Sequence, residues 1–212
     1  MIKNLHIGLL YVRRDDMGRG VGRKLLESAI EKAQADSCDT VTVASAASNE
    51  EFYQKCGFKR SGILIESEVP TGKYDVDIEE QKLPLNVQSY AWGRDMPIGR
   101  YQSSAFHLFE MRESYALHRF SEISRSFGLY SINGHEALYG FFVSGDESPS
   151  AIVYCWNNGA HVDDLVYGAL TILHGKAIRR ARILLPKNDH DRLSMDIPVC
   201  IQGSRSMLVY RL

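Results

Sequence analysis

The run Met17-Gly18-Arg19-Gly20-Val21-Gly22-Arg23 is where residue types and spacing first suggest chemistry. Glycines let a backbone turn tightly and approach a ligand with no Cβ in the way. Where such a turn opens a helix, the first amides point outward and the helix dipole favours an anion. Arg19 and Arg23 add guanidinium groups that form charge-assisted hydrogen bonds with phosphate oxygens. The pattern suggests a pyrophosphate site over Gly18 to Arg23. A Gly-rich turn with solvated arginines is the alternative. A Walker A loop is excluded because no Gly-Lys-Ser/Thr follows. The GxGxxG spacing and later ribose acid of a dinucleotide fingerprint are also missing.

For that turn to work, a strand must feed it and a helix must leave it. Leu5 to Val12 is a short apolar run with β-branched and aromatic members, which predicts a buried strand. From Gly22 to Ala35, apolar residues recur at three- and four-residue steps (Leu25, Leu26, Ala29, Ile30, Ala33), which predicts an amphipathic helix. Thr40 to Ala44 reads as a second strand, Asn49 to Cys56 as a short helix stopped by Gly57, and Ile63 to Glu68 as a third strand. A strand–helix–strand unit of this length implies a parallel pair.

The segment Val69 to Pro84 then changes character, with prolines, Gly72 and an acidic run that includes one edge strand at Lys73 to Ile78. Its end sets the expected boundary between domains 1–85 and 86–212. The second block reads as a strand (Val87 to Trp92), helices (Ser103 to Ser126) and three strands (Leu129 to Ile132, Ala137 to Ser144, Ala151 to Trp156). Asn133-Gly134 and Gly145 to Pro149 supply the turns between those strands. A helix (Val162 to Ala177), a strand (Arg182 to Leu185) and a hairpin of Val199 to Gln202 with Met207 to Tyr210 complete it.

Composition narrows the function classes. With 44% hydrophobic residues in 212, the chain has enough apolar material for a packed core, so it is not a disordered protein. Lys and Arg number 25 against 26 Asp and Glu, so no basic excess exists to drive phosphate-backbone binding, and no nucleic-acid partner is expected. No stretch approaches the roughly 20 apolar residues of a membrane span, and Met1 to His6 lacks a secretory pattern. Cys38, Cys56, Cys155 and Cys200 are scattered and read as free thiols of a cytoplasmic protein, with no metal site expected.

The helix after the second strand ends in Phe52-Tyr53-Gln54-Lys55-Cys56-Gly57-Phe58. Together with Leu10-Tyr11-Val12 and Gly18-Arg19-Gly20-Val21-Gly22, in this order and spacing, the chain resembles the GCN5-related N-acetyltransferase (GNAT) superfamily from about Leu5 to Ile65. The resemblance implies an α/β fold with a mixed sheet and acetyl-CoA as cosubstrate. It implies that the amides of Gly18 to Gly22, with Arg19 and Arg23, cradle the pyrophosphate. Leu10, Tyr11 and Val12 would pair with the pantetheine arm, and a backbone N–H there would stabilise the developing oxyanion. Tyr53 matches the family tyrosine that protonates the departing thiolate; a packing role beside Phe52 and Phe58 is its alternative.

Two positions depart from the family pattern: Met17 stands where the family has Arg or Gln, and Ala46 falls near a usual asparagine. Only Met1 to Asn4 precede the cofactor half, so the first domain is expected to be incomplete, with a tandem, diverged GNAT-like domain following. In that second copy Asn157 to Asp164 replaces the glycine turn, and its Asp163 and Asp164 would repel phosphate. The expected function is acetyl transfer to a primary amine of a small molecule, peptide or protein. A non-catalytic CoA-binding scaffold is the competing reading. The edge of the first strand also raises a swapped homodimer.

Overall fold

The computed structural model describes residues 4–8, 10–85, 87, 94–99, 123–144 and 149–212. In chain order the elements are β1 (Asn4–Ile7), α1 (Val21–Ala35), β2 (Thr40–Ala46), α2 (Glu50–Lys55), β3 (Lys59–Pro70), β4 (Ile78–Gln81) and β5 (Asp95–Ile98). Then come β6 (Ile123–Ile132), β7 (His135–Ser144), β8 (Ser150–Asn157), α3 (Val162–Gly175), β9 (Arg180–Pro186), α4 (Lys187–Leu193) and β10 (Cys200–Arg211). The chain is α/β with a mixed sheet. It forms two compact units, residues 1–64 with 204–212, and residues 65–203.

In the first unit β1 and β2 are parallel, with Leu5 opposite Val41 and Ile7 opposite Val43. The helix between them, α1, buries Leu26 and Ala33. In β2 every second residue (Val41, Val43, Ser45) turns inward, the period of a half-buried strand. Val41 and Val43 share one core with Ile7, Tyr53, Phe58 and Leu208. β10 lies antiparallel to β2, from Arg205 opposite Ala46 to Arg211 opposite Thr40. Gly57 adopts a φ of 90° just after α2, as expected of a helix stop.

In the second unit β6, β7 and β8 form an antiparallel meander, with β4 on the outer side of β6. The β6–β7 turn is Asn133-Gly134, both at positive φ (48° and 78°), the turn that the sequence signals. β8 and β9 are parallel, and α3 crosses between them. α3 sinks Leu165, Val166, Ala169, Leu170 and Leu173 into a core shared with Tyr139, Val153, Ile183 and Leu185. Trp156 is buried.

Several elements differ from the sequence reading. The strand expected over Leu5 to Val12 stops at Ile7, because its only ladder is the four-residue register with β2. The edge strand expected at Lys73 to Ile78 begins at Ile78, where pairing with β6 starts. The predicted terminal hairpin is the single strand β10, since its partner from Arg205 onward is β2. Ile123 to Ser126, expected to end a helix, begin β6. The rest of that predicted helix, 103–122, lies outside the described residues, as do 88–92 of the predicted strand, whose first residue Val87 is helical. The first unit stops short of the expected 85/86 boundary: β3 passes out of it after Leu64, and Ser204–Leu212 return to it.

Leu208 on β10 is wholly buried in the first unit's core. Leu208→Ala should therefore lower the unfolding free energy by about 2–5 kcal/mol, read by urea denaturation. A loss well under 1 kcal/mol would contradict the placement of β10 in that core.

Candidate active site

The turn between β1 and α1 is built as its glycines suggest. After Ile7 the chain runs through Leu10, Tyr11 and Val12 outside any strand ladder, and then through a 3-10 turn, Arg14–Asp16. Gly18 and Gly20 take φ values of 76° and 79°, and Gly20 caps α1. A Cβ at either position would meet nothing within 4 Å. The left-handed backbone, not crowding, selects glycine there, and the space over these amides is open. Gly22 is different, because a Cβ there would stand 3.3 Å from Phe52 Cζ and 3.5 Å from Val12 Cγ2. That close approach brings Val12, the start of α1 and the face of α2 to one place.

The remaining residues singled out in sequence fall around this point. Val21 is half-buried in the first turn of α1, while Tyr11 is 72% exposed and Leu10 packs against the core. Arg19 is exposed and reaches Asp16 at 3.5 Å, and Arg23 donates to the Lys55 carbonyl at 3.4 Å. Both contacts are long and solvated, so either guanidinium can turn to an anion at low cost. Tyr53 sits deeper. Its ring lies edge-on to Phe52 (5.1 Å between centroids) and Phe58 (5.8 Å). Burial pushes its phenol above the ordinary value, further from neutral pH, where a tyrosine already carries its proton. The packing role is thus real, and it leaves an acid in its protonated form.

Residues 1–68 match the model of the acetyltransferase (GNAT) domain. This segment, about a third of the chain, is similar to the GNAT acetyltransferase domain. The fold of the whole chain agrees. It is similar to a GCN5-related N-acetyltransferase from Anabaena variabilis, at 10% identity, over 98% of this chain and 55% of that one, with a TM-score of 0.57. It is also similar to a provisionally assigned acetyltransferase from Pyrococcus horikoshii, at 15% identity, over 99% and 66%, with a TM-score of 0.60. A tandem GNAT protein from the clavulanic acid biosynthesis pathway matches at 14% identity, over 99% and 75%, with a TM-score of 0.51. The chain spans little more than half to two thirds of the first two proteins. No curated protein matches it by sequence.

Two further features of the GNAT segment bear on its site. Met17, at the family's Arg/Gln position, is 60% exposed and offers no hydrogen-bond donor to an anion. Glu50, which the sequence reading passed over, is a buried carboxylate at the head of α2. It accepts Arg60 Nε at 2.8 Å and Nη2 at 2.7 Å, Gln54 Nε2 at 2.8 Å and Ser206 Oγ at 2.6 Å. The signal was its i, i+3 spacing to Tyr53, which puts both on the inward face of α2. The hydrogen bonds from Arg60, then Ser206, hold its carboxyl below the usual range. With its lone pairs engaged, Glu50 is a structural anion and not a base for an incoming amine.

In the second unit, an open cavity of about 360 Å³ is lined by Glu68, Arg179, Arg180 and Cys200, among others, and holds none of the residues expected to bind the cofactor. Among the described residues no group of three His, Cys, Asp or Glu is arranged to hold a metal ion, and no helix is long and apolar enough to cross a membrane.

Because the Glu50 carboxyl is depressed on folding, its contribution to stability is full above the unfolded value, about 4.3, and is lost as pH falls through the folded value. Urea melts across pH 2–7 should show wild type more stable than Glu50→Gln, by a constant margin above about pH 5 that shrinks below it. A pH-independent margin would count against the charged network.

Proposed function

We propose that the protein transfers an acetyl group from acetyl-CoA to a primary amine, and that the GNAT segment carries the cofactor site. The observation that carries this reading is the pair Gly18 and Gly20, both left-handed and open to solvent, at the head of α1. These residues fit a pyrophosphate: amides at a helix N-terminus, no side chain over them, and Arg19 and Arg23 beside them. Bound acetyl-CoA supplies an activated thioester acyl group. Leu10 to Val12 lie outside the strand ladder, which supports their amides hydrogen-bonding the pantetheine arm and the acyl carbonyl. Tyr53, a phenol protonated at neutral pH, holds a proton for the departing sulfur. The acceptor is an amine of a small molecule, peptide or protein.

Calorimetric titration of acetyl-CoA tests the site. Wild type should bind, and Gly20→Glu, which puts charge and bulk over the cradle, should abolish binding. Equal binding by both would sink the cradle. In an amine-acceptor screen, Tyr53→Phe should lower kcat by about 10²-fold or more with acetyl-CoA affinity unchanged. An unchanged kcat would leave Tyr53 as a packing residue, and binding with no amine turned over would favour a CoA-binding scaffold.

A further inference from the structure

Two strand–helix–strand units with parallel strands occur in the chain. One is β1–α1–β2, with the glycine cradle. The other is β8–α3–β9. In open parallel sheets, ligands bind in the crevice beyond the carboxyl ends of strands that separate. β8 and β9 pair only from Ser150 to Ile152 and from Arg180 to Arg182. Both strands run on past that register, to Asn157 and Pro186. β5 occupies the gap. It is antiparallel to β8, with Asp95 opposite Asn157 and Ile98 opposite Cys155. On its other side the Gly99 N–H donates to the Leu184 carbonyl of β9 at 3.0 Å. Both walls of the crevice are thus bonded to the chain's own backbone. Ile98 is wholly buried, in one cluster with Cys155 and Leu185. Gly99, at a φ of 113°, lies so close to Tyr154 that a Cβ would stand 2.5 Å from its Cδ1.

The turn into α3 is closed independently. Asn157 Oδ1 accepts the Ala160 N–H at 2.8 Å, and Asn157 Nδ2 donates to the Glu136 carbonyl at 2.7 Å. Asn158 Oδ1 accepts the Asp95 N–H at 3.1 Å, which ties the turn to β5. In the first turn of α3, Asp163 accepts Arg192 Nε at 2.6 Å and Nη2 at 3.2 Å. The Ala160 amide beside the head of α3 and the Arg192 guanidinium are thus committed to the protein.

We infer that β5 seals the β8–α3–β9 crevice and that the protein takes a single acetyl-CoA per chain, at the Gly18–Gly22 cradle. The count of one rests on the proposed function; the seal does not. Equilibrium dialysis of the full chain with acetyl-CoA, beside hydrogen exchange of the 95–99 backbone, separates the two. The expected result is one site per chain, lost in Gly20→Glu, with Gly99 exchanging slowly and at the same rate with and without saturating acetyl-CoA. Two sites, binding that survives in Gly20→Glu, or exchange at Gly99 that is unprotected or accelerated by acetyl-CoA would overturn the inference. No binding by wild type, with Gly99 protected, would refute the cradle and uphold the seal.

Discussion

The first unit is organised around the carboxylate of Glu50. A buried ion costs several kcal/mol unless its lone pairs are filled. Here Arg60 from β3, Gln54 one turn along α2 and Ser206 from β10 fill them. The charge thereby fixes α2 against two strands that are far apart in sequence. α2 in turn carries Phe52, whose ring sets how near the start of α1 can come at Gly22, and Tyr53, the buried phenol. The position of the glycine cradle against the tyrosine therefore follows from an ion pair that touches neither.

The two strand–helix–strand units show how one topology is kept while its chemistry changes. α1 has a polar outer face and buries little beyond Leu26 and Ala33, whereas α3 is sunk along much of its length. The heads of the two helices differ accordingly. Open glycines precede α1, while asparagines bonded inward precede α3 and an acid paired with Arg192 sits in its first turn. Stability gained by satisfying polar groups internally removes the unpaired donors that anion recognition needs.

Local signals were legible where local physics decides. The three- and four-residue spacing of α1, the Asn133-Gly134 turn and the Gly57 stop all depend on neighbours within a few positions, and each is found as read. The glycine turn ahead of α1 was legible for the same reason, since its left-handed backbone lies at Gly18 and Gly20 themselves. The misreadings depend on distant partners. Leu10 to Val12 are apolar enough for a strand, but β2 offers β1 a register only through Ile7. Val199 to Gln202 and Met207 to Tyr210 read as a hairpin because nothing nearby announces that Arg205 to Arg211 pair with residues 40–46. Glu50 was overlooked because a charged residue at a helix start is ordinarily solvated, and only Arg60 and Ser206 make its burial tolerable.

The return of β10 to the first unit also bears on how the chain acquires its shape as it is made. Residues 1–64 leave the ribosome before residues 65–203, yet their sheet lacks the strand that carries Leu208 and Ser206 until the whole of 65–203 has followed. The second unit has all its strands sooner and is free to condense while the nascent segment ahead of it waits, with Val43 and Phe58 short of their cover. The unit begun before 65–203 is thus completed only after it, and its apolar face stays exposed for that stretch of elongation.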